Sequence, residues 1–235
     1  MSAGRDSALR TVLETRLFAV VRMKSAEAVP DVVDALRRGG VRAIEITLTT
    51  PGGLGIIRDL AAGRAAGELV GAGTVLDAAS AERAAAAGAD FIVSPVLDLE
   101  LIRFCRARDL FVAAGGLTPT EILAAWRAGA DVVKVFPASS AGPAYFKDLK
   151  GPFPEIRLMP TGGVTLENAA DFVRGGACCV ALGSGLIDAA LVRARDWDGL
   201  AARAARLRRS SSWMSACSVT SCTVPIDRIG LPAAS

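Results

Sequence analysis

The chain has 235 residues and a net charge of only +3, and its arginines are scattered rather than clustered, so nothing in it predicts nucleic-acid binding. No apolar run is long enough to span a membrane and the charged stretch 1–16 lacks a signal-peptide core, so we expect a cytoplasmic protein without a membrane partner. The absence of histidine excludes His-based triads, His general bases and His metal ligands.

Eight short apolar runs recur along the chain, and their starts lie 20 to 26 residues apart. Helical patterns separate them, and several of these begin at Ser, Thr or Asp and end at Gly. Alternating helices and nearly continuous apolar strands are typical of a parallel sheet, and eight such units fit a closed (β/α)8 barrel of the TIM type. The predicted strands are 17–22, 43–48, 69–75, 91–95, 111–116, 132–137, 157–163 and 179–184.

The two ends of the chain complete the predicted domain, which spans 1–208. The stretch 4–16 is predicted to form a short helix below the barrel, and 191–208 is predicted to form the last helix. Six serines in 210–222 and two later prolines break any helix or strand period, so 209–235 is predicted to be a disordered or loosely docked tail. A doubly wound open sheet is the alternative fold, disfavoured because no GxGxxG follows the first strand.

Cysteines and metal ligands give no sign of a cofactor. The cysteines form no CxxC pair and are odd in number, which is typical of reduced thiols in a reducing compartment. A zinc site would need cysteines and carboxylates alone, and no spacing provides one, so we predict neither a metal nor another cofactor. The five are Cys105, Cys178, Cys179, Cys217 and Cys222.

A carboxylate and an amine are predicted to meet inside the barrel. Period-two alternation in AIEITLTT points Glu45, Thr47 and Thr49 inward, and in VVKVFP it points Lys134 and Phe136 inward. Strands two and six are both even-numbered, so their inward residues share a layer at the end of the barrel that carries active sites. An acid and an amine that face each other in an apolar tube shift each other's pKa.

The choice of lysine at position 134 favours covalent chemistry. Only four of the 27 basic residues are lysines, and this one stands in a valine-rich strand. Arginine cannot lose its proton or form an imine, whereas a desolvated lysine does both. The pattern therefore favours an imine-forming Lys134 with Glu45 as a proton shuttle, and the alternative is a structural Lys–Glu pair.

Glycine-rich ends of strands seven and eight predict an anion site. Thr161, Gly162 and Gly163 end strand seven, and Gly183 and Ser184 end strand eight. The loops after these strands form the common phosphate site of this fold, because glycine allows close backbone approach and the next helix adds a positive dipole. TGG alone is also compatible with an ordinary turn.

Two further polar residues end predicted strands. Arg22 is a candidate ligand for a carboxylate or phosphate, and the alternative is a plain surface charge. Thr74 in GAGT is a candidate hydrogen-bond donor to a substrate, although threonine is also a common strand residue.

Six motifs over about residues 11–190 resemble those of the class I 2-keto-3-deoxy-6-phosphogluconate (KDPG) aldolases, also described as 4-hydroxy-2-oxoglutarate (KHG) aldolases. In order they are GGVRAIEITL, VGAGTVL, FIVSP, VVKVFPA, MPTGGVT and ALGSGL. The resemblance implies a homotrimeric barrel in Entner–Doudoroff carbohydrate metabolism. It would cleave a phosphorylated 2-keto-3-deoxy acid reversibly into pyruvate and glyceraldehyde 3-phosphate.

The resemblance also assigns roles to individual residues. Lys134 would form the imine and Glu45 would be the general acid and base. Thr74 and Thr161 match pyruvyl-binding positions, and Phe136 and Pro95 match the pocket wall. The phosphate-binding positions fall on Gly162, Gly163, Gly183 and Ser184.

Thr49 departs from the pattern of the family. Many relatives carry an arginine at this position that helps to hold the substrate carboxylate, and Arg22 is our candidate replacement. Because aldolases for the galactonate epimer also vary here, 2-dehydro-3-deoxy-6-phosphogalactonate remains an alternative substrate, and 4-hydroxy-2-oxoglutarate is a possible additional one. The rivals from other classes are a phosphosugar isomerase or epimerase and a catalytically dead barrel.

Overall fold

A computed structural model describes residues 4–209 and confirms the (β/α)8 barrel. Within those residues, eight parallel strands follow the order β7-β6-β5-β4-β3-β2-β1-β8. Two isolated bridges, Leu158 with Ala177 and Thr161 with Ala181, join β7 to β8 and close the barrel. The strands are β1 (Leu17–Val21), β2 (Ala43–Thr47), β3 (Leu69–Gly73), β4 (Phe91–Val93), β5 (Phe111–Gly116), β6 (Val132–Val135), β7 (Leu158–Pro160) and β8 (Val180–Leu182).

Helices alternate with the strands, and their starts follow from local capping. Asp77 and Asp98 accept hydrogen bonds from the first turns of α4 and α5, and Thr118 and Glu121 form a capping box on α6. No helix within 4–209 is both long and apolar enough to cross a membrane. The helices are α1 (Arg5–Thr15), α2 (Val29–Arg38), α3 (Gly53–Ala62), α4 (Ala78–Ala86), α5 (Leu99–Ala107), α6 (Pro119–Arg127), α7 (Gly142–Lys150), α8 (Ala169–Arg174), α9 (Ala189–Ala194) and α10 (Trp197–Arg209).

The C-terminal helices of the domain differ from the prediction of one helix over 191–208. Arg195 adopts the left-handed conformation at φ 54°, which ends α9, and the Asp196 side chain accepts from the Gly199 N–H at the start of α10. Two helices therefore replace one. Arg209, which we assigned to the tail, is the last residue of α10. The rest of the predicted tail, with Cys217 and Cys222, lies outside the described residues.

The core has two layers, and the N-terminal helix closes one of them. The outward residues of the strands pack against the surrounding helices. Inside the barrel, Leu9 and Val12 of α1 pack with the rings of Phe18, Phe91 and Phe111. The Phe18 and Phe91 ring centroids lie 5.1 Å apart, edge to face. This confirms that the predicted helix lies below the barrel.

A buried aspartate ties α1 to the strand that carries Lys134. Asp131 precedes β6 and is 1% exposed. Its carboxylate accepts from the Val112 N–H at 2.9 Å and from Arg5 Nε at 2.6 Å. Hydrogen bonds to a charged group in the interior are strong, so the start of β6 is held in a defined register against β5.

Candidate active site

A cavity of about 270 Å³ opens at the carboxyl ends of the strands, where this fold places active sites. It is lined by residues from the ends of β1, β6, β7 and β8. The first and last of these residues lie more than 160 positions apart in the sequence. The structure thereby brings together eight of the residues predicted for the site: Arg22, Lys134, Phe136, Thr161, Gly162, Gly163, Gly183 and Ser184.

Another cavity, of about 340 Å³, lies at the opposite end of the barrel and offers less chemistry. Glu68 is the one acid among the residues that line it. Its two oxygens accept from Arg37 at 2.6 and 3.0 Å, and Oε2 also accepts from the Ala65 N–H. A carboxylate engaged in this way holds the local fold together and is a poor general base.

Lys134 lines the first cavity and Glu45 does not, and both are buried, at 3% and 1% exposure. Burial lowers the pKa of Lys134, the charge of Glu45 raises it, and the charge of Arg22 lowers it again. Burial raises the pKa of Glu45, against the smaller lowering effects of Lys134 and Arg22. Each group is thus shifted toward its neutral form, which is what a nucleophilic amine and a proton-transferring acid require.

The same region holds buried polar atoms that no protein group satisfies. Among residues 4–209, neither carboxylate oxygen of Glu45 has a hydrogen-bond partner, and the same is true of Thr161 Oγ1. Buried polar atoms are paired in the great majority of cases, and exceptions are characteristic of functional sites. These three atoms are therefore available to a substrate or to solvent between them.

The second glycine of GAGT, Gly73, leaves room for the Glu45 carboxylate. Gly73 lies on β3, beside Thr47 in the parallel ladder, and a Cβ atom at Gly73 would overlap Glu45 Oε1. Any larger residue would force the carboxylate to move. Glycine is thus required at position 73 by the space that the Glu45 side chain takes up, rather than by a turn of the backbone.

Thr74 follows in a conformation that is unusual for a β-branched residue, with φ 58°. Its Oγ1 accepts a hydrogen bond from Arg22 Nη2 at 3.1 Å. Strained residues of this kind cluster at ligand sites, where the surrounding structure holds them in place. The contact holds the exposed Arg22 side chain at the mouth of the cavity.

Phe136 forms a wall beside the lysine. Its ring centroid lies 5.2 Å from Lys134 Nζ, and the ring is 37% exposed toward the cavity mouth. Gly162 adopts φ 82°, and a Cβ atom there would approach the Phe136 ring to 3.2 Å. The ring and the glycine therefore fit each other, and the ring face is available to stabilise a cation.

Four predicted site residues are not among those that line the cavity: Glu45 and Thr74, described above, and Thr49 and Pro95. β2 ends at Thr47, so the alternation that points Glu45 inward stops before Thr49, which lies exposed in the turn with its hydroxyl bonded to Thr47 Oγ1 at 3.1 Å. β4 ends at Val93, and the backbone of Pro95 packs against Gly115 of β5. Neither residue is among those that line the cavity.

Four lining residues were not among those predicted for the site. Val20 lies on β1 and packs in the inner cluster, so the alternation of that strand could have predicted it. Loop residues that follow a strand have no such period, which is why Val164 and Ile187 carried no signal, and Gly185 was visible only as part of GSG. The four are Val20, Val164, Gly185 and Ile187.

Within residues 4–209, no group of three or more Cys, Asp or Glu side chains is arranged to hold a metal ion.

Comparison with known proteins identifies the family. A model described as KDPG and KHG aldolase matches residues 8–203. The 2-dehydro-3-deoxy-phosphogluconate aldolase of Pseudomonas aeruginosa is 40% identical over 186 residues, covering 78% of this chain and 84% of that protein. A probable 2-dehydro-3-deoxy-6-phosphogalactonate aldolase of Rhizobium meliloti is 38% identical over 175 residues, covering 74% and 82%.

A solved structure agrees with these relatives. The KDPG aldolase from Legionella pneumophila, with pyruvate captured at low pH as a covalent carbinolamine intermediate, superposes with a TM-score of 0.78 at 26% identity, covering 85% of this chain and 97% of that one. The match to the family model over most of the sequence, together with these identities, shows that the chain belongs to the KDPG and KHG aldolase family.

Proposed function

We propose that this protein is a Schiff-base aldolase that cleaves 2-dehydro-3-deoxy-6-phosphogluconate to pyruvate and glyceraldehyde 3-phosphate. The observation that carries the proposal is the buried pair of Lys134, whose pKa burial lowers, and Glu45, whose carboxylate has no protein hydrogen-bond partner within the described residues. Family membership and the covalent pyruvate adduct of the Legionella pneumophila enzyme support it.

The amine and the carboxylate divide the chemistry between them. Neutral Lys134 attacks the C2 ketone to give a carbinolamine, and loss of water, with protons moved by Glu45, gives an iminium. Glu45 then takes the C4 hydroxyl proton, directly or through water, and the electrons of the breaking C3–C4 bond flow into the iminium. Glyceraldehyde 3-phosphate leaves, the enamine is protonated at C3, and hydrolysis releases pyruvate and the free amine.

The two ends of the substrate are assigned to the two sides of the cavity. Gly162, Gly163, Gly183 and Ser184 are proposed to bind the phosphate through backbone groups, because the loops after β7 and β8 meet there. Arg22, held by Thr74, is proposed to take the carboxylate that relatives bind with an arginine at the position of Thr49. Binding energy at both ends aligns the C3–C4 bond above Lys134.

Borohydride trapping tests the imine. Incubation with pyruvate and borohydride is expected to leave a reduced adduct on Lys134, located by peptide mass spectrometry. An adduct on Lys147 or Lys150 would remove Lys134 from the mechanism. No adduct at all would favour an isomerase or epimerase, which needs no imine. EDTA is expected to leave turnover unchanged, because the iminium does the polarising that a metal would otherwise do.

The galactonate epimer is the second candidate substrate. It is supported by the 38% identity to the probable 2-dehydro-3-deoxy-6-phosphogalactonate aldolase and by Thr49, which stands where many relatives carry an arginine. A pyruvate-release assay with both phosphorylated acids and with 4-hydroxy-2-oxoglutarate separates these activities by kcat/KM. Higher efficiency with the galactonate acid would replace the gluconate assignment, and with it the Entner–Doudoroff role, while preserving the mechanism.

We further propose that the protein works as a homotrimer in the cytoplasm. Leu76, Val96 and Leu99 are large apolar side chains that remain exposed on the single chain, around the ends of β3 and β4. Exposed apolar side chains that lie close together are typical of surfaces that bind another protein. Light scattering after size exclusion is expected to give three times the chain mass; a monomer mass would contradict the assembly.

A further inference from the structure

We infer that Asn168 and Arg203 are positioning residues that turn the two glycine-rich loops so that their N–H groups, and not their carbonyl oxygens, face a bound phosphate. The loops are 161–168 after β7, called the β7 loop, and 183–188 after β8, called the β8 loop. The inference rests on the proposed function, because it concerns the phosphate end of the same cavity.

Asn168 holds the β7 loop at two points. Its Nδ2 donates to the Gly163 carbonyl at 2.9 Å, and its Oδ1 accepts from the Thr165 N–H at 2.8 Å. The two hydrogen bonds flank Val164, which lines the cavity. One amide side chain therefore fixes both peptide groups around that residue and engages the Gly163 oxygen.

Arg203 does the same for the β8 loop from α10. Its Nη2 donates to the Gly185 carbonyl at 2.8 Å and its Nε donates to the Leu186 carbonyl at 3.1 Å. The N–H groups of the same two peptides, those of Leu186 and Ile187, donate to the Gly183 carbonyl at 2.9 and 2.8 Å, so Arg203 holds the turn that engages this carbonyl. The guanidinium also brings a positive charge next to the loop, although Arg203 does not line the cavity.

The two loops are packed together, so one orientation supports the other. A Cβ atom at Gly185 would overlap the Val164 carbonyl oxygen, which means that the backbones touch at this point. Among residues 4–209, neither the Val164 N–H, which shares a peptide group with the Gly163 carbonyl, nor the Ser184 N–H, which shares one with the Gly183 carbonyl, donates to a protein acceptor. The Gly163 carbonyl is engaged by Asn168, and the Gly183 carbonyl is engaged by the turn that Arg203 holds. Because the C=O and N–H of a trans peptide point in opposite directions, these two N–H groups are available to an anion.

A merely structural role is the competing explanation, and it makes a different prediction. If the two side chains only stabilised the fold, their loss would lower thermal stability and would affect all ligands equally. If they orient the loops, their loss weakens binding of phosphate and leaves the chemistry at Lys134 intact.

The experiment compares Asn168→Asp and Arg203→Met with the control Arg206→Met, an exposed arginine one turn further along α10. The aspartate cannot donate to the Gly163 carbonyl, and methionine keeps the stem of Arg203 without its donors. We expect KM for the phosphorylated acid to rise about fivefold to tenfold in each variant, the range lost with a single orienting hydrogen bond. We expect kcat, and borohydride trapping with phosphate-free pyruvate, to change little, and Arg206→Met to match the wild type.

Phosphorus NMR titration with inorganic phosphate separates this inference from the proposed function, because it needs no turnover. Weaker phosphate binding in both variants, with unchanged binding in Arg206→Met, supports the inference even if the wild type releases no pyruvate. Equal phosphate affinity in all four proteins, or equal losses for phosphate and for pyruvate trapping, overturns it. If Arg203→Met fails to fold by circular dichroism, the near-isosteric Asn168→Asp decides the outcome alone.

Discussion

The two halves of the barrel interior are built from the same strands and have opposite character. The lower half, closed by α1, contains Phe18, Phe91 and Phe111, whose rings pack edge to face or tilted against one another. The upper half contains Glu45 and Lys134, charged groups that burial shifts toward neutrality. The lower half contributes stability through matched apolar contacts, whereas the upper half retains polar groups that only a ligand or solvent completes.

Two glycines on β3 show the same division within one strand. A Cβ atom at Gly71 would overlap the Phe91 ring, and a Cβ atom at Gly73 would overlap the Glu45 carboxylate. Both positions give up a side chain to make room for a neighbour. In one case the neighbour is core and in the other it is the candidate proton shuttle.

Replacing the Lys134 amine is expected to cause the largest loss of activity among the variants of the upper half. Lys134→Arg keeps the positive charge but cannot form an imine, so we expect turnover to fall by about 10⁴-fold or more and pyruvate trapping to disappear. Pyruvate release and the mass of the borohydride-treated chain are the measurements. Lys147→Arg, on α7, is the matched control and should trap normally; turnover retained in Lys134→Arg would contradict the imine.

Glu45→Gln is the next most damaging change. We expect kcat to fall by about 10²- to 10⁴-fold, the usual contribution of a general acid or base, with the fold preserved. Because the negative charge of Glu45 raises the pKa of Lys134, its removal should lower that pKa further. The acid limb of pyruvate trapping should then move to lower pH. An unmoved limb would mean that the two groups do not interact; Glu82→Gln, an exposed change, is the control.

Alanine substitutions at Gly71 and Gly73 test whether the stability of the lower half and the activity of the upper half can be changed independently. Gly73→Ala should displace Glu45 and lower kcat by about 10²-fold, a loss in the range of general acid–base catalysis. Gly71→Ala should cost about 1–3 kcal/mol in the free energy of unfolding through overpacking against Phe91, with pyruvate trapping preserved. Urea unfolding and kcat, measured on both variants, give the comparison. Equal effects of the two changes on activity would show that the halves are coupled.

The sequence predicted the inward-pointing residues of the barrel only within the regular strands, where side chains alternate with a period of two. Alternation predicted that Glu45 and Lys134 point into the barrel, because side chains of a regular strand have a fixed direction. Both are buried, and the charge of each shifts the pKa of the other. Thr49 shows the limit: β2 ends two residues earlier, and beyond that point the direction of a side chain depends on the turn. The roles of Gly73 and Asn168 depend on contacts between distant segments, and no local pattern encodes those.

Arg22→Met is expected to shift the pH dependence of pyruvate trapping without removing the amine that forms the imine. It therefore tests the electrostatics of the upper half directly. Arg22 lowers the pKa of Lys134, as burial does, whereas Glu45 raises it. Loss of the guanidinium should therefore raise the pKa of the amine, so that a smaller fraction of Lys134 is neutral at a given pH. The acid limb of pyruvate trapping should move to higher pH, opposite in sign to the shift in Glu45→Gln. Trapping rates at saturating pyruvate across the pH range measure both limbs on one scale. Shifts of the same sign in the two variants would contradict the arrangement of charges around Lys134.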